Sequence, residues 1–440
     1  MIMSKYVHVA SKPQGKGFDY DRAIMPKNKL CLYSIIGGMQ QYDFNTHTLH
    51  DELMSIQEYT ERYVRPIDGE IFIDSGGYSI IQGAVHPKAV PRFVQCYNAM
   101  LDMKAGAFDK VFSLDIPWSK VFTEMNTKQK IMELNDYALS TARDILLANA
   151  EALERFSFVW HFKMPAQYAI WDHLFAKHGL NQIIRHRAIG GMVALRGITG
   201  IKFSPFIGMA YRCLLDYLDA GRFDLDFTLH FLGLYLPYDR FEMTILDGLF
   251  ARYLGGEAQA VTTYDSINPL QVTRAKTDIP LFEFTGSGLT VYNNLTDAPA
   301  GILDHVYGEP ELIGHVQEEI ARRQSGARLQ QASSLGPLNI YSHQQVNHFF
   351  EYVVAAHGLA EVFFQEWSLT KINGHYAGVL GTLAKSYPAL FTKHTCGAIM
   401  RNVAITYEFH RWYVDDRSRA GLESLILSNI RKIGFPGRLA

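Results

Sequence analysis

Cysteine is scarce in this sequence, and the few cysteines lie far apart. Four occur in 440 residues, and none belongs to a Cys-x-x-Cys pair. This spacing excludes a disulfide framework of the kind that holds small secreted domains together, and it favours a reducing compartment. We therefore expect a cytoplasmic protein.

Long apolar runs and an excess of charge of one sign are also missing. No run of about 18 apolar residues occurs, which argues against a membrane-spanning helix, and the first residues lack the apolar stretch of a secretory signal. The formal net charge of -2 gives no overall signature of nucleic-acid binding, although a local basic patch is compatible with it. Hydrophobic residues make up 48% of the chain, which is enough for a large core.

Strand-like and helix-like segments alternate along most of the chain. Short apolar runs that end on polar residues or glycine are followed by stretches with helical spacing, repeatedly, up to about residue 270. This alternation predicts a parallel α/β sheet or barrel. We expect an irregular basic arm over residues 1–30, the α/β domain over residues 31–350, and a mostly helical region over residues 351–440.

Three aspartates stand at the ends of predicted strands: Asp74, Asp115 and Asp265. The carboxyl ends of parallel strands meet at one edge of the sheet, where α/β proteins place their chemistry. Carboxylates there can attack an anomeric carbon, transfer a proton, or accept hydrogen bonds from the N–H edge of a purine. Each aspartate alone is also compatible with an ordinary loop cap, and only the set of three favours a catalytic site.

Glycines accompany several of these strand ends. Gly76 and Gly77 come shortly after Asp74, Gly190 and Gly191 end another predicted strand, and Gly233 closes a third. Glycine allows a sharp turn and lets a flat ligand approach the backbone closely. The pattern predicts a pocket for a planar group.

Taken in order, these segments resemble the motifs of the tRNA-guanine transglycosylases, over roughly residues 30–350. The similar segments are Asp74-Ser75-Gly76-Gly77-Tyr78 (family Asp-Ser-Gly-Gly-Phe/Tyr), Leu114-Asp115, Gly190-Gly191-Met192-Val193-Ala194 (family Gly-Gly-Leu-Ala-Val), Leu232-Gly233 (family Met-Gly), Tyr264-Asp265 with Pro269 (family Phe-Asp-x-x-x-Pro), and Leu335-Gly336-Pro337 before His343. Each match is short, and the ordered series carries the resemblance.

The resemblance implies a modified TIM (β/α)8 barrel with insertions and a mostly helical C-terminal extension. It implies a base exchange in which a guanine of a polynucleotide is replaced by a 7-deazaguanine such as preQ0, without a cofactor or catalytic metal. Asp265 would be the covalent nucleophile, Asp74 the general acid/base, and Asp115 the group that recognises guanine. The substrate pocket would be lined by Ser75, Gly76, Gly77, Tyr78, Trp160, His161, Gly190, Gly191, Met192, Leu232 and Gly233.

Two departures from the family pattern stand out. The Cys-x-Cys-x-x-Cys that completes the family's structural zinc site is absent, and a site rebuilt from His343 with His315, Cys396 or His410 is the alternative we leave open. The family's pocket glutamine is replaced near Trp160-His161, so we expect the edge of the incoming base to be recognised differently.

The missing zinc motif and the aromatic, basic residues after about residue 365 make the chain most similar to the DpdA-type transglycosylases of phages and bacterial islands. That branch acts on DNA. We therefore expect DNA as the partner, a flipped-out guanine, no membrane partner, and residence in the host cytoplasm if a phage encodes the protein. A homodimer and a partner protein are left open.

Several basic and histidine residues lie near these motifs. Phosphate contacts are predicted for Arg187, Arg196, Lys202 and Arg274, with a solvated surface as the alternative for the cluster beside Gly190. His161 is predicted either to line the pocket or to be a core histidine, and His230 is expected to be structural.

Three alternatives remain at this stage. A tRNA-guanine transglycosylase without zinc differs only in its substrate. A catalytically silent nucleic-acid-binding subunit is disfavoured because all three aspartates are present. An unrelated TIM-barrel glycosidase is disfavoured because no pair of glutamates stands at the strand ends.

Overall fold

The computed structural model describes residues 5–9, 30–34, 42–43, 48–49, 70–77, 89–102, 109–116, 128–161, 165–183, 186–191, 204–221, 226–256, 258–266, 279–326, 332–365 and 368–432. Its strands are β1 (Lys5–Val9), β2 (Leu30–Ser34), β3 (Tyr42–Asp43), β4 (Thr48–Leu49), β5 (Glu70–Asp74), β6 (Lys110–Phe112), β7 (Phe156–His161), β8 (His186–Gly190), β9 (Phe227–Phe231), β10 (Ala260–Asp265), β11 (Leu281–Phe284) and β12 (Leu289–Tyr292). The α-helices are α1 (Val90–Asp102), α2 (Lys128–Ala148), α3 (Ala150–Arg155), α4 (Pro165–Lys177), α5 (Leu180–Ile183), α6 (Ile207–Asp219), α7 (Pro237–Tyr253), α8 (Ala300–Tyr307), α9 (Pro310–Gln324), α10 (Gly336–Ala356), α11 (Leu369–Ser386), α12 (Lys393–Asp415) and α13 (Arg419–Lys432).

A curled sheet of parallel strands organises the fold. The strands β2, β5, β6, β7, β8, β9 and β10 pair in that order, and β1 pairs with both β10 and β2. Helices lie between successive strands from β5 to β10, which gives the strand–helix repeat that the sequence predicts. The prediction of an α/β fold built on parallel strands is confirmed, and the strand–helix units are described for this central part of the sheet.

The two faces of the sheet bury different residues because side chains alternate along a strand. One face encloses a small apolar cluster that includes Phe72, Phe112, Val159 and Ala188. The other face carries a much larger cluster beneath the helices. Trp160, next to Val159, belongs to this larger cluster, so neighbouring positions of one strand face opposite layers.

The larger cluster continues from the sheet into the last helices. It runs from Ile73 at the end of β5 to Ile426 in α13. The ring of Phe409 in α12 stacks on the ring of Tyr211 in α6, with 5.3 Å between centroids. The C-terminal helices therefore cover the outer surface of the barrel-like layer.

The structure differs from the sequence-based expectations in several elements. Residues 5–9, within the segment expected to be an irregular arm, form β1 and pair into the sheet. The composition of residues 304–323 predicts a helix, and the structure has two, α8 and α9, which are separated at Gly308, where φ is 71°. The hairpin β11–β12 was not expected, and α10 runs across the domain boundary placed at residue 350.

Candidate active site

Carboxylates from three strands meet at the carboxyl-end edge of the sheet. Asp74 is the last residue of β5, Asp265 is the last residue of β10, and Asp115 follows the end of β6. Asp74 stands two positions after Phe72, which is buried inside the curled sheet, so the alternation of the strand turns the Asp74 side chain to the same interior. Asp115 and Asp265 are 5% and 8% exposed.

The turn after β5 links two of these carboxylates. The Gly76 N–H donates to Asp74 Oδ2 over 3.2 Å, and the hydroxyl of Ser75 donates to Asp115 Oδ1 over 3.3 Å. Gly76 has a φ of 80°, which a residue with a side chain rarely adopts. A Cβ atom on Gly77 would lie only 2.9 Å from Asp115 Oδ1. The two glycines are therefore required by the turn and by the close approach of Asp115.

A buried asparagine fixes the loop that carries Asp115. Asn135 of α2 accepts a hydrogen bond from Ile116 N at 2.7 Å and donates one to Ile116 O at 3.0 Å. Three residues earlier, Ser113 Oγ accepts a hydrogen bond from Val159 N at 2.8 Å. These hydrogen bonds hold the chain in place after the last residue of β6. They fix the backbone on both sides of Asp115.

Asp265 is held by two nitrogen atoms from β9 and the turn that follows it. Gly233 N donates to Asp265 Oδ1 over 2.9 Å, and His230 Nε2 lies 3.2 Å from the same oxygen. The other ring nitrogen, His230 Nδ1, lies 2.8 Å from Thr263 Oγ1. Register explains the arrangement, because His230 and Thr263 are directly paired on β9 and β10.

His230 is the residue that sequence reasoning missed. We expected a structural histidine, and it is indeed 3% exposed among the rings of Phe72 and Phe112. Its Nε2 nevertheless contacts the carboxylate of Asp265. The available signal was its place in β9: a polar side chain two residues before Leu232, in a strand that pairs with the one carrying Asp265.

Burial and mutual repulsion raise the pKa of Asp74 to about 7, the negative charges of Asp265 and Asp115 adding to the effect of burial. The hydrogen bonds from Gly76 and Ser75 act in the opposite direction and are outweighed. Burial also lowers the pKa of His230, although the hydrogen bond and charge of Asp265 raise it. Near neutral pH the site therefore holds a neutral imidazole and a carboxyl group, Asp74, that is balanced between its two protonation states.

The structure brings together most of the predicted pocket residues that it describes. One group of contacting residues lies at the turn after β5 and comprises Asp74, Ser75, Gly76, Gly77 and Asp115. A second group comprises Asp265 and Gly233. The two groups are close enough for the charge of Asp265 to raise the pKa of Asp74. Gly190 ends β8 at the same edge, Gly191 follows with a φ of 83°, and Leu232 packs on the interior cluster. His161 pairs with Gly190 through the backbone at the end of β7. Tyr78, Met192, Arg196, Lys202 and Arg274 lie outside the described residues.

Two predicted site residues lie elsewhere. Trp160 was expected to line the pocket, but its side chain is fully buried under the helices, with its ring 5.6 Å from that of Phe175. Arg187 was expected to contact phosphates, but it is 4% exposed and its Nη2 pairs with Asp216 Oδ2 at 3.2 Å. Both residues sit on strand positions that face the outer layer, so neither can reach a ligand at the strand ends.

Two of the residues left open as a rebuilt zinc site, His343 and His410, have other contacts in the structure. The His343 ring packs 5.8 Å from the ring of Tyr264, and burial with the charge of Arg240 lowers its pKa well below the usual range. His410 Nδ1 is hydrogen-bonded to the hydroxyl of Tyr253 at 2.8 Å. In the part of the chain that the structure describes, no three His, Cys, Asp or Glu side chains form a group able to hold a metal ion.

The aromatic and basic residues near the C-terminus also have partners within the chain. Phe409 and Trp412 are buried in the core that joins the C-terminal helices to the sheet. Arg411 pairs with Asp415, and Arg419 pairs with Asp216 at 2.9 Å. These side chains therefore belong to the packing of the helices and carry no argument for contact with a polynucleotide.

No family model matches the chain. No curated protein matches it either. Within the described residues, no helix is long and apolar enough to cross a membrane.

Proposed function

We propose that this chain is a guanine transglycosylase that exchanges guanine in DNA for a 7-deazaguanine through a covalent bond between Asp265 and deoxyribose. The observation that carries the proposal is that three neighbouring carboxylates differ in their hydrogen bonds and in their electrostatic surroundings. Asp265 accepts two hydrogen bonds on one oxygen, Asp74 has its pKa raised to about 7, and Asp115 is fixed by Ser75. A nucleophile, a proton carrier and a recognition group are the three roles that a base exchange requires.

The first half of the reaction breaks the bond to guanine. The target guanine leaves the base stack and enters the pocket, with its N1 and N2 edge on Asp115 and its face beside Leu232. Asp265 attacks C1′ as the bond from C1′ to N9 breaks, and the electron pair of that bond goes to the base. Asp74, in its protonated form, gives its proton to the departing guanine, which leaves as the neutral base.

The second half reverses these events with a different base. The 7-deazaguanine enters the same pocket and gives its N9 proton to Asp74, which is now a carboxylate. N9 attacks C1′, and the ester bond to Asp265 breaks. The two inversions at C1′ give overall retention, and Asp74 and Asp265 return to their starting protonation states. A pKa near 7 suits Asp74 to both directions of proton transfer.

The fold supports the proposal at the level of architecture. We propose that the curled parallel sheet is a modified TIM (β/α)8 barrel, since β1 joins β10 to β2 and the three carboxylates sit at the carboxyl ends of the strands. In that fold, active sites lie at this edge. The choice of DNA over tRNA rests on the sequence, because the Cys-x-Cys-x-x-Cys of the tRNA enzymes is missing.

An exchange assay tests the proposal. The pure protein is incubated with preQ0 or other 7-deazaguanines and with duplex DNA, single-stranded DNA or a tRNA pool, and the nucleosides are analysed by mass spectrometry. We expect deazaguanine in DNA only. Incorporation into tRNA alone would indicate that tRNA, and not DNA, is the substrate. No incorporation with any polynucleotide would contradict the proposal.

A variant identifies the nucleophile. We expect Asp265→Ala to abolish both exchange and the covalent protein–DNA adduct that is detected on a denaturing gel. The matched control is Asp226→Ala, because Asp226 lies just before β9, at the opposite end of the strands from the carboxyl edge. Full exchange by the Asp265→Ala variant would contradict the assignment of Asp265.

A further inference from the structure

The contacts of Asp265 are unevenly divided between its two oxygens. Gly233 N donates to Oδ1 and His230 Nε2 lies against Oδ1, whereas within the described residues no hydrogen bond reaches Oδ2. Two nitrogen contacts on one oxygen fix the plane and direction of a carboxylate. They also leave the second oxygen available to act as the attacking atom.

The protonation state of His230 follows from its neighbours. An ionised carboxylate only accepts hydrogen bonds, so the contact with Asp265 requires the proton on Nε2. The other nitrogen, Nδ1, is then an acceptor and takes the hydroxyl proton of Thr263 over 2.8 Å. Thr263 is directly opposite His230 in the register of β9 and β10, so the same strand pairing that places Asp265 also selects the tautomer of its partner.

The surroundings of the imidazole favour this neutral form. The ring is buried between Phe72 and Phe112, with centroid distances of 6.0 and 4.7 Å. The charged groups that act on His230 are Asp265 from β10 and Lys110 from β6. Asp265 also interacts electrostatically with Asp74 at the end of β5, whose pKa is raised in addition by Asp115 in the loop after β6. A neutral N–H donor steers Asp265 without neutralising its negative charge, which a nucleophile must keep.

We propose that His230, held by Thr263 as the neutral Nε2–H tautomer, is a positioning residue that works with the backbone N–H of Gly233 to hold Asp265 Oδ1 and direct Oδ2 to the sugar carbon. This inference rests on the proposed function for the identity of the sugar. Nothing in the sequence motifs assigns this role, since His230 lies outside all of them. The pair His230 and Thr263 is thus an addition to the three-aspartate site.

The first test uses variants that differ only in the N–H donor. His230→Phe keeps an aromatic ring between Phe72 and Phe112 but removes the donor, and we expect adduct formation to slow by about 10- to 100-fold, as for loss of a hydrogen bond to a charged group. His230→Gln can place an amide N–H near the position of Nε2, and we expect it to restore most of the rate. Thr263→Val should show a smaller loss, and Thr263→Ser should behave as the wild type.

The readouts separate positioning from a general structural role. We expect the KM for the free deazaguanine to stay within about twofold of the wild-type value, because Asp115 is untouched, and His230→Phe to keep the unfolding temperature of His230→Gln. Equal rates for His230→Phe and the wild type would overturn the inference. Equal loss in His230→Phe and His230→Gln, with a fall in unfolding temperature, would also overturn it in favour of a packing role.

A second measurement does not depend on catalysis. Protein labelled with 15N at histidine is examined by NMR, and the His230 signals are assigned as those lost in His230→Gln. We expect a neutral ring protonated at Nε2 at pH 7, and a different tautomer balance in Thr263→Val. An imidazolium ion or an Nδ1–H tautomer in the wild type would overturn the inference. The expected tautomer in a protein without any base exchange would instead contradict the proposed function alone.

Discussion

At the scale of single residues, the site shows what sequence patterns can and cannot provide. The three aspartates were found because each stands at the end of a recognisable strand. Trp160 and Arg187 were misplaced because both faces of their strands are covered, so the sequence does not say which face a given position takes. His230 was missed because its partners come from another strand, and only the register of β9 and β10 brings it to Asp265.

Asp74 leads to a prediction about pH. Its pKa of about 7 lies above that of an ordinary aspartate, so the group is protonated below pH 7 and ionised above it. Guanine release needs the acid form, and attack by the incoming base needs the carboxylate. We therefore expect the rate of adduct formation to fall as the pH rises through about 7, and the rate of base insertion into a preformed adduct to rise over the same range.

Single-turnover experiments from pH 5 to 9 measure the two steps separately. In the control variant Asp74→Asn, the remaining activity should lose both of these opposite dependences on pH. Parallel profiles for the two half-reactions would show that a single proton carrier does not serve both steps.

Gly77 gives a second prediction at the residue scale. In Gly77→Ala the new Cβ would lie 2.9 Å from Asp115 Oδ1 and 3.0 Å from the Asp115 backbone oxygen, so Asp115 must move. Because Asp115 is assigned the edge of the base, we expect the free base to bind at least about tenfold more weakly. The dissociation constant for guanine, measured by calorimetry, checks this result. Gly301→Ala, where a Cβ meets no atom within 4 Å, is the matched control. An equal effect of both variants on the dissociation constant would show that displacement of Asp115 is not the cause.

At the scale of elements, the positions of strands along the chain were predicted better than the pairing of those strands in the sheet. The apolar run over residues 156–161 predicts a strand, and β7 has these bounds. The alternation of strands and helices predicted up to about residue 270 is present from β5 to β10. β1 was missed because Lys5–Val9 lies in a polar segment and is stabilised by pairing with β10, about 260 residues away along the chain. No local pattern records such a pairing.

The contact between α6 and the C-terminal helices yields a prediction about stability. A Cβ on Gly208 of α6 would lie 2.8 Å from the ring of Phe409 in α12 and 3.0 Å from Ile426 in α13. We expect Gly208→Ala to lower the free energy of unfolding by about 1–3 kcal/mol through overpacking. Thermal and urea unfolding measure the change.

A helix glycine without neighbours provides the matched control. Gly378 lies on the exposed side of α11, and a Cβ there would meet no atom within 4 Å. Gly378→Ala should raise the free energy of unfolding by up to about 1 kcal/mol, because alanine favours a helix more than glycine does. If both substitutions stabilise the protein, α12 and α13 do not press on Gly208.

At the scale of the whole molecule, the structure argues against independent parts. The large core cluster includes residues of the sheet, of α6 and α7, and of α11 to α13. Polar bonds cross the same contact: Asn402 of α12 accepts a hydrogen bond from Ser204 N at 2.8 Å, and Arg212 of α6 reaches both Asp172 and Glu423. The sequence-based division placed a boundary at residue 350, but the sequence could not indicate that the later helices cover the earlier ones.

This shared core predicts a single unfolding transition for the full chain. Calorimetry should give one peak whose van't Hoff enthalpy equals the calorimetric enthalpy, as expected for one cooperative unit. A chain that ends at residue 365 would expose Tyr211, which Phe409 and Trp412 cover in the full protein, and it would remove Glu423 from its contact with the guanidinium of Arg212. We expect that shortened chain to aggregate or to remain without a cooperative transition. Two separate peaks, or a shortened chain that folds and keeps the adduct reaction, would show instead that the C-terminal helices form a separate unit and that the site is complete without them.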